Sequence, residues 1–390
     1  MQLMSGVLIH DGRRIAHRKW ATDAINSGYA DGVVLSPFST PRLSVPRHPS
    51  AQQVAADVNG VGGEVIFDAM THARFLAGVN RTDFYDDWEL WGSAGPGVAT
   101  PQQRLAHVER VFQRQDAVGS PHLAPTLSLQ SPLTQDASFA RELARTARGV
   151  DSGAWQSLAG TRAFWASGVN LDAYVGALVA LRAPVWVLTV SNEIVVDQVP
   201  DLTDVLAFSG LCRTVHSLSM RSRVIISHAD YAGLPAVAAG ADTVGSGWDR
   251  SQRTFDPNSF RIDSDPGIRI PASYVTQGTL HAVLRRDTAE AIERWDPAAA
   301  LTIRGGPMPA SDQVQRMHHL NQLRSAVLGL TAAGSRQNRI NLLRNRYQTA
   351  SAQFDVLRDA LPRTVQDRDK YAWATAPADI LESYAQAEGF

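Results

Sequence analysis

The stretch from Ser222 to Arg253 reads SRVIISHADYAGLPAVAAGADTVGSGWDRSQR, and it decides the predicted fold. Residues 223–227 form a short β-branched apolar run, which is typical of a strand buried on both faces. A polar tip, a short helical pattern at 234–239, a second strand at 240–245 and a second polar tip follow in turn. This is the order of consecutive βα units, and in α/β barrels the chemistry collects at the C-terminal ends of the strands.

The same alternation runs through the rest of the chain. Short apolar runs that predict strands occur at residues 30–35, 63–68, 121–130 and 183–190, and helical patterns separate them. Strands that alternate with helices in this way favour a mostly parallel sheet covered by helices. We therefore predict an α/β fold, a TIM-like (β/α)8 barrel with a C-terminal helical extension.

Changes in composition and in apolar pattern along the sequence predict the domain organisation. Residues 1–28 are interpreted as an N-terminal lead-in, and residues 29–305 as the barrel and catalytic domain, with insertions near 81–101 and 254–273. Residues 306–390 are interpreted as C-terminal helices that pack on the barrel. The first insertion is too long for a simple connection and rich in aromatic residues, so both a lid over the active site and a structural flap stay open.

Composition excludes several classes of protein. The 390 residues carry a net charge of −1, so no overall field points to a polyanionic partner. Cys212 is the only cysteine, which excludes an intrachain disulfide and a cysteine-based zinc cluster. No apolar run is long enough to span a bilayer. We expect a cytoplasmic protein without membrane contact, metal or cofactor, while the sequence leaves the oligomeric state open.

Several motifs, in this order, resemble those of the tRNA-guanine transglycosylase superfamily. The proline-led helix of that family corresponds to Leu234–Pro235, its Gly-x-Asp motif to Gly240–Asp242, and its strand-borne aspartate with a following arginine to Asp249–Arg253. An earlier catalytic aspartate of the family corresponds to Asp68 in Val65–Ala69. The strand that bears a glutamine is similar to Leu127–Gln130.

Two more features extend the resemblance, which runs loosely from about residue 30 to 345. Val190–Glu193 is similar to a Gly-Glu-tipped strand of the family, and His318–Leu320 to a His-His-Leu helix. The chain departs from the family in two respects. It has no counterparts of the zinc-binding cysteines, and Gly245 stands where simple alignment would put the nucleophilic aspartate, so Asp249 takes that role only if the strand is read four residues on.

Cleavage of an N-glycosidic bond builds positive charge on the sugar and negative charge on the departing base. One carboxylate can attack the sugar or stabilise this cation, while a second acid or base handles protons. Asp68 and Asp249 each follow a predicted strand and are the predicted catalytic pair. The alternatives are a turn or capping role for Asp68 and a salt bridge to Arg250 or Arg253 for Asp249.

Polar and aromatic side chains at the other strand tips are predicted to bind the substrate. Amides can recognise a base edge as donor and acceptor, and an aromatic ring can stack on a flipped base. Structural roles in hydrogen bonding and packing are the alternatives for each of these side chains. The predicted substrate-binding residues are Gln130, Asn192, Glu193, His228, Asp230, Trp248, Arg250 and Arg253.

A basic stretch near the C-terminus is the predicted contact with a nucleic-acid backbone. Arg336, Arg339, Arg344 and Arg346 occur with no acidic residue before Asp355. Arginine suits phosphate because its planar guanidinium group donates in a fork. A solvated helix face with no ligand is the alternative.

These observations predict an enzyme that cleaves an N-glycosidic bond in nucleic acid, foremost a DNA glycosylase acting on a modified base such as those of phage genomes. DNA is favoured over tRNA because the zinc site and the room for a separate tRNA-binding domain are missing. The first alternative is a transglycosylase that exchanges guanine for a deazaguanine in tRNA or DNA. The second is a barrel enzyme that acts on a small metabolite.

Overall fold

Eight parallel strands form a single curled sheet in a computed structural model of the chain, which describes residues 6–192, 195–196, 199–262 and 273–390. The strands are β1 (Gly6–His10), β2 (Gly32–Leu35), β3 (Glu64–Phe67), β4 (Ser128–Leu129), β5 (Gln156–Thr161), β6 (Val185–Ser191), β7 (Arg223–Ser227) and β8 (Thr243–Gly247). Their hydrogen-bonded order is β3-β2-β1-β8-β7-β6-β5-β4. This is the circular order of a TIM barrel, and it confirms the predicted fold class.

Helices follow the strands and cover the outside of the sheet. The helix after each strand, in order, is α1 (His17–Asn26), α2 (Ala51–Gly60), α3 (Pro101–Val118), α4 (Gln135–Val150), α5 (Val169–Val179), α6 (Val205–Ser219), α7 (Leu234–Ala239) and α8 (Asp312–Thr331), and the C-terminal helices are α9 (Arg336–Ala360) and α10 (Ala376–Glu388). Shorter helices are Thr71–Arg74, Asp86–Trp88, Arg162–Trp165, Asp230–Gly233, Arg250–Arg253, Pro257–Phe260, Gly278–Leu280, Arg286–Trp295, Pro297–Arg304, Asp367–Lys370 and Tyr371–Thr375. Two small antiparallel pairs join Tyr274–Gln277 to Ala282–Arg285 and Val195–Val196 to Val199–Pro200.

The interior of the barrel is filled by its own apolar cluster. Alternate residues of a strand point to opposite faces, so one set packs inward while the other packs on the helices. The inward cluster comprises Leu8, Val34, Ile66, Leu123, Trp155, Val185, Val187 and Ile225. Residues from both ends of the strand order thus meet in one core, as expected when the sheet curls on itself.

Side chains from α3 and the loop after it bridge the seam between β3 and β4, the two ends of the strand order. Gln115 Nε2 donates to Phe67 O and to Leu123 O, both at 2.9 Å, and Gln115 Oε1 accepts from Leu123 N at 3.0 Å. Phe67 N donates to Ser120 Oγ at 2.8 Å. The Gln115 amide is fully buried and therefore satisfies backbone groups that a ladder would otherwise pair.

The N-terminal segment belongs to the barrel, so the prediction of a lead-in at residues 1–28 is wrong. β1 pairs with β2 on one side and with β8 on the other. The helix α8, assigned from sequence to the C-terminal extension, likewise packs against β1 and β8. Arg324 of α8 donates to Asp31 at 2.8 Å, at the beginning of β2. The barrel therefore begins earlier and ends later than predicted.

The insertion at residues 81–101 is a packed structural flap. Tyr85, Trp88 and Leu90 are each 1% exposed and belong to the main core. Trp88 Nε1 donates to Thr40 O at 2.9 Å, and Arg114 Nε donates to Trp88 O at 2.9 Å. Of the two alternatives left open by the sequence, these contacts favour the flap over a hinged lid.

Candidate functional site

A cleft opens at the C-terminal ends of β1, β2 and β7, which is the end where TIM barrels place their chemistry. Histidine, serine, glutamine and arginine side chains line it together with two phenylalanines. The lining residues are His10, Asp11, Gly12, Arg13, Val34, Ser36, Phe38, Ser39, Met70, Arg81, His228, Ser251, Gln252, Ser259 and Phe260. Only His228 among them is a sequence-predicted site residue.

Two stacked imidazoles form the floor of this cleft. The rings of His10 and His228 lie 3.6 Å apart between centroids, with 21° between their planes. His10 Nε2 is 3.2 Å from the backbone nitrogen of His228, which can only donate, and 3.2 Å from Ser227 Oγ. His228 Nδ1 lies 2.9 Å from the carbonyl of Gln252, which can only accept.

These partners fix the tautomers of both rings. His10 accepts at Nε2, so its neutral form carries the proton at Nδ1, and His228 donates from Nδ1, so its Nε2 keeps a lone pair. Burial and the neighbouring His228 lower the pKa of His10 well below its usual range. Burial also lowers the pKa of His228, to about 3, although its bond to Gln252 opposes the shift. Both rings are therefore neutral near pH 7.

Gly245 makes room for this pair. A Cβ atom at Gly245 would lie 2.3 Å from His10 Nε2 and 2.9 Å from the backbone nitrogen of His228. The resembled family places a nucleophilic aspartate at this position. Here the imidazole of His10, from the neighbouring strand β1, occupies the space that such a side chain would need.

The backbone around the cleft adopts uncommon conformations. Met70, His228 and Asp230 have φ values of 46°, 50° and 48°, which lie in the left-handed region. Non-glycine residues there cost energy, and such residues cluster at ligand sites, where the surrounding contacts hold them. Met70 follows β3, and the other two residues follow β7.

Asp68 lies at the tip of β3, as predicted, and is 7% exposed. Its Oδ1 accepts from Met70 N at 2.8 Å. The neighbouring His72 is buried, and within the described part of the chain its Nε2 has no hydrogen-bond partner. Burial lowers the pKa of His72, and the negative charge of the Asp68 carboxylate opposes this shift.

A segment at residues 254–262, called the roof segment, covers part of the mouth. The ring of Phe255 contacts His72 and His228, at centroid distances of 5.1 and 5.7 Å, and is 1% exposed. The carbonyl of Phe255 accepts from Asn192 N at 2.8 Å. The carbonyl of Phe260 accepts from the backbone of Arg81 at 3.1 Å, so the roof segment is joined to the start of the flap.

Several buried polar atoms near the roof segment lack partners among the described residues. They are His72 Nε2, Ser191 Oγ, Asn192 Oδ1 and Thr254 Oγ1. Buried polar atoms are nearly always hydrogen-bonded, so a group of orphans beside one another calls for an explanation. A polar ligand at the barrel mouth would provide the missing partners.

Asp230 lies in a different environment, in a buried network that joins β7, β8 and α8. Its Oδ2 accepts from Ser246 Oγ at 2.6 Å and lies 2.8 Å from His319 Nε2 and 3.7 Å from Arg253 Nε. Burial alone would raise the pKa of Asp230, but these partners outweigh it and hold the pKa below its usual range. The contact between Asp230 and His319 thus fastens α8 to the strand ends.

Asp249, like Asp68, is not among the described residues that line the cleft. It is bound at the rim by Arg14, at 2.9 Å, and by Arg316 of α8, at 3.0 Å. The salt-bridge alternative therefore describes its surroundings, and the described partners are Arg14 and Arg316. Two guanidinium groups neutralise this carboxylate and occupy its acceptor sites.

The other predicted binding residues have mixed outcomes. Trp248 is fully buried and donates from Nε1 to His17 Nδ1 at 2.9 Å, so its ring packs under the rim instead of facing a ligand. Gln130 is exposed at the end of β4, whereas Asn192 is buried beneath the roof segment. Glu193 and the side chain of Arg250 lie outside the described residues.

The four arginines of α9 make contacts within the chain. Arg336 donates to Ala239 O at 3.0 Å and to His216 O at 3.1 Å, which are carbonyls at the ends of α7 and α6. The C-terminal ends of barrel helices lie opposite the mouth, because the helices run antiparallel to the strands. Arg336 therefore caps two helices at the end of the barrel opposite the mouth, which speaks against the predicted contact of this residue with a nucleic-acid backbone.

The side chains of the remaining three arginines also contact acceptors within the chain. Arg339 reaches Val237 O at 3.4 Å, and Arg346 donates to Ala326 O at 3.1 Å. Arg344 forms an ion pair with Glu382 of α10. Guanidinium groups that already bond to protein acceptors are poor partners for phosphate.

Sequence reasoning overlooked His10, Arg81 and Gln252. The signal for His10 was present, since Gly6–His10 reads GVLIH and is a buried apolar run with a polar tip, like β7. Its position in the supposed lead-in hid it. Arg81 begins the first insertion and Gln252 lies in the short helix Arg250–Arg253 just before the second, and their meeting over the barrel depends on the path of the backbone.

No known family model matches the chain, and no curated protein is similar to it in sequence. Among solved structures it is similar to a probable tagatose 6 phosphate kinase from Sinorhizobium meliloti 1021, with 14% identity over 98% of both chains and a TM-score of 0.33. It is also similar to active domain 2 of a chitinase from Pyrococcus furiosus, with 8% identity over 63% of this chain and 84% of that chain and a TM-score of 0.33.

A third similar structure is a xylose isomerase-like TIM barrel/4-hydroxyphenylpyruvate dioxygenase fusion protein. Its identity is 12% over 75% of this chain and 51% of that chain, and its TM-score is 0.36. Likenesses at this level carry no inference about activity, and the fold assignment is based on the strand order alone.

Two features are absent from the described ranges. None of the helices in those ranges is both long and apolar enough to cross a membrane. The same ranges contain no group of three or more histidine, cysteine, aspartate or glutamate side chains that could hold a metal ion.

Proposed function

We propose that this chain is an enzyme that transfers protons on a small, anionic substrate bound at the barrel mouth. The observation that carries the proposal is His228, a neutral imidazole in the cleft whose Nδ1 is bonded to Gln252 and whose Nε2 keeps a lone pair. A positioned imidazole is the commonest general base. This proposal corresponds to the metabolite-enzyme alternative from the sequence.

An anionic substrate would tune this base. Burial holds the pKa of His228 at about 3, which makes the free imidazole a weak base. A negative charge beside the ring favours its protonated form and raises its pKa toward neutrality. Arg81, exposed at the rim of the cleft, has no ion-pair partner among the described residues and would hold such an anion.

Size favours a metabolite over a nucleic acid. The roof segment and the flap are joined over the mouth, and Phe255 is buried against His72 and His228. A stacked base or a duplex would have to displace these contacts to reach the imidazoles. A small molecule would need only the cleft.

The test is proton exchange with solvent. The protein would be incubated in D2O with separate sugar phosphates, keto acids and hydroxy acids, and deuterium uptake or conversion measured by mass spectrometry. We expect one substrate class to be labelled by the wild type and at least 100-fold more slowly by His228→Asn, since general bases contribute about 10²–10⁴-fold. Asparagine suits the left-handed backbone at this position.

The matched control is His122→Gln, which changes a histidine at the opposite end of the barrel and should leave the rate unchanged. His122 lies between Asp116 and Asp151, at 2.9 and 2.7 Å, away from the cleft. Equal activity of wild type and His228→Asn on the labelled substrate would contradict the proposal.

Asp68 favours a second candidate, cleavage of an N-glycosidic bond. It is a buried carboxylate at the tip of β3, beside His72, and it carries part of the resemblance to the transglycosylase superfamily. Because Gly245 and His10 leave no aspartate at the family's nucleophile position, hydrolysis is favoured over base exchange. DNA carrying modified bases, tRNA and mononucleotides would be tested for base release by mass spectrometry. Release that is lost in Asp68→Asn would support this candidate, and no release from any of them would exclude it.

A further inference from the structure

A second polar cleft lies outside the barrel mouth, between the hairpin Tyr274–Arg285, the helix Arg286–Trp295 and the chain after α9. It shares no lining residue with the mouth cleft. Its lining includes four arginines (Arg285, Arg294, Arg363 and Arg368) together with Asp287 and Asp369. We propose that this arginine cleft binds an anion that carries two or more phosphate groups close together.

The four guanidinium groups are exposed and available. Within the described part of the chain, none of them makes a side-chain hydrogen bond or an ion pair. The neighbouring arginines differ in this respect, since Arg304 pairs with Glu293 and Arg358 pairs with Asp367. Four like charges that share a cleft repel one another, and a bound polyanion relieves this repulsion.

Each of the two aspartates of the cleft accepts a hydrogen bond from the backbone. Asp287 Oδ1 accepts from Thr288 N at 2.9 Å, and Asp369 Oδ2 accepts from Gln366 N at 2.9 Å. Among the described lining residues, four arginines against two aspartates leave a formal charge of 4 − 2 = +2. One phosphate group would balance this charge, and a second would use the remaining donors.

Part of the lining comes from one face of the helix Arg286–Trp295. Asp287, Ala291 and Arg294 follow one face of their helix at spacings of four and three residues, with the small Ala291 between the charged side chains. Arginine binds phosphate oxygens through paired, parallel N–H groups, which gives both charge and direction. Polyphosphates and nucleotides carry directly linked phosphate groups. Along a nucleic-acid backbone the phosphate groups are more widely spaced.

Calorimetric titration of the full chain tests the proposal with inorganic pyrophosphate, tripolyphosphate, ATP and a single-stranded oligonucleotide as probes. The variant is Arg285→Gln with Arg363→Gln. The matched control is Arg145→Gln, which removes an exposed arginine of α4 on the other side of the barrel. Because the cleft arginines make no internal bonds, the double variant should keep the melting temperature of the wild type.

We expect at least one probe to bind, with an affinity that falls tenfold or more in the double variant and stays unchanged in the control. Binding of the small polyphosphates would identify a nucleotide-like ligand, and binding of the oligonucleotide alone would identify a nucleic-acid backbone. No binding of any probe, or equal binding by variant and control, would overturn the proposal. The outcome is independent of proton-transfer activity at the mouth.

Discussion

At the scale of single residues, the absence of a side chain at Gly245 is what allows the imidazole pair to form. A Cβ atom there would lie 2.3 Å from His10 Nε2, inside any normal contact distance. We expect Gly245→Ala to destabilise the protein by about 1–3 kcal/mol, as overpacking of a filled site does. Urea unfolding measures this change in the free energy of unfolding.

A double-mutant cycle makes the cause specific. A His10→Ala background removes the 2.3 Å contact and leaves only the 2.9 Å contact with the backbone nitrogen of His228, so the added cost of Gly245→Ala should be smaller there. Gly149→Ala is the control, because a Cβ at this helical position meets no atom within 4 Å and alanine favours the helix. Equal costs of Gly245→Ala in both backgrounds would show that His10 does not fill the space.

The sequence located Asp68 and His228 because each follows an apolar run that can only be a strand. It could not foresee the surroundings of Asp249, since the arginines that bind it, Arg14 and Arg316, are distant in sequence and come together only when α8 packs beside β1. It missed His10 because a strand near the N-terminus has no preceding helix to reveal the alternation. The local sequence pattern therefore predicted where these residues lie along the strands. Tertiary packing determined which partners each side chain contacts.

At the scale of elements, closure of the barrel between β3 and β4 depends on the side chain of Gln115. Gln115→Met keeps the volume of the residue but removes three hydrogen bonds to Phe67 and Leu123. Buried backbone groups left unpaired cost about 1–3 kcal/mol each, so we expect a loss of roughly 2–5 kcal/mol. Chemical denaturation would measure it, with the exposed Gln113→Met on the same helix as control.

A loss within 0.5 kcal/mol of that control would mean that the seam is held by other contacts.

The seam needs this bridge because β4 is short. The sequence predicted a longer strand there. The apolar run at residues 121–130 predicted one strand, whereas the structure has a single bridge at Leu123 and a two-residue strand at Ser128–Leu129. Pro121 and Pro125 lack the N–H that a continuous ladder would require.

At the scale of the whole molecule, buried neutral histidines predict acid sensitivity. Burial lowers the pKa of His107 and of His281 to about 4 and that of His228 to about 3, against 6.5 for the unfolded chain. Below pH 6.5 these histidines therefore bind protons in the unfolded chain but not in the folded chain. Stability is unaffected above that pH and falls as the pH drops from 6.5 toward the folded values.

We expect each such histidine to reduce the free energy of unfolding by roughly 1–2 kcal/mol at pH 5 relative to pH 7. Denaturation at a series of pH values measures the effect. His107→Gln should show a shallower dependence, because glutamine can still donate to Leu90 O and accept from Thr71 without titrating. Constant stability between pH 7 and pH 5 would contradict this account.

The most direct measurement for the central claim is the protonation state of His228, observed by nuclear magnetic resonance on protein labelled with 15N at histidine and assigned with His228→Asn. We expect a neutral ring with its proton on Nδ1, an unprotonated Nε2, and no titration between pH 5 and pH 8 in the free protein. A ring that titrates near pH 6.5, or one that carries its proton on Nε2, would contradict the account.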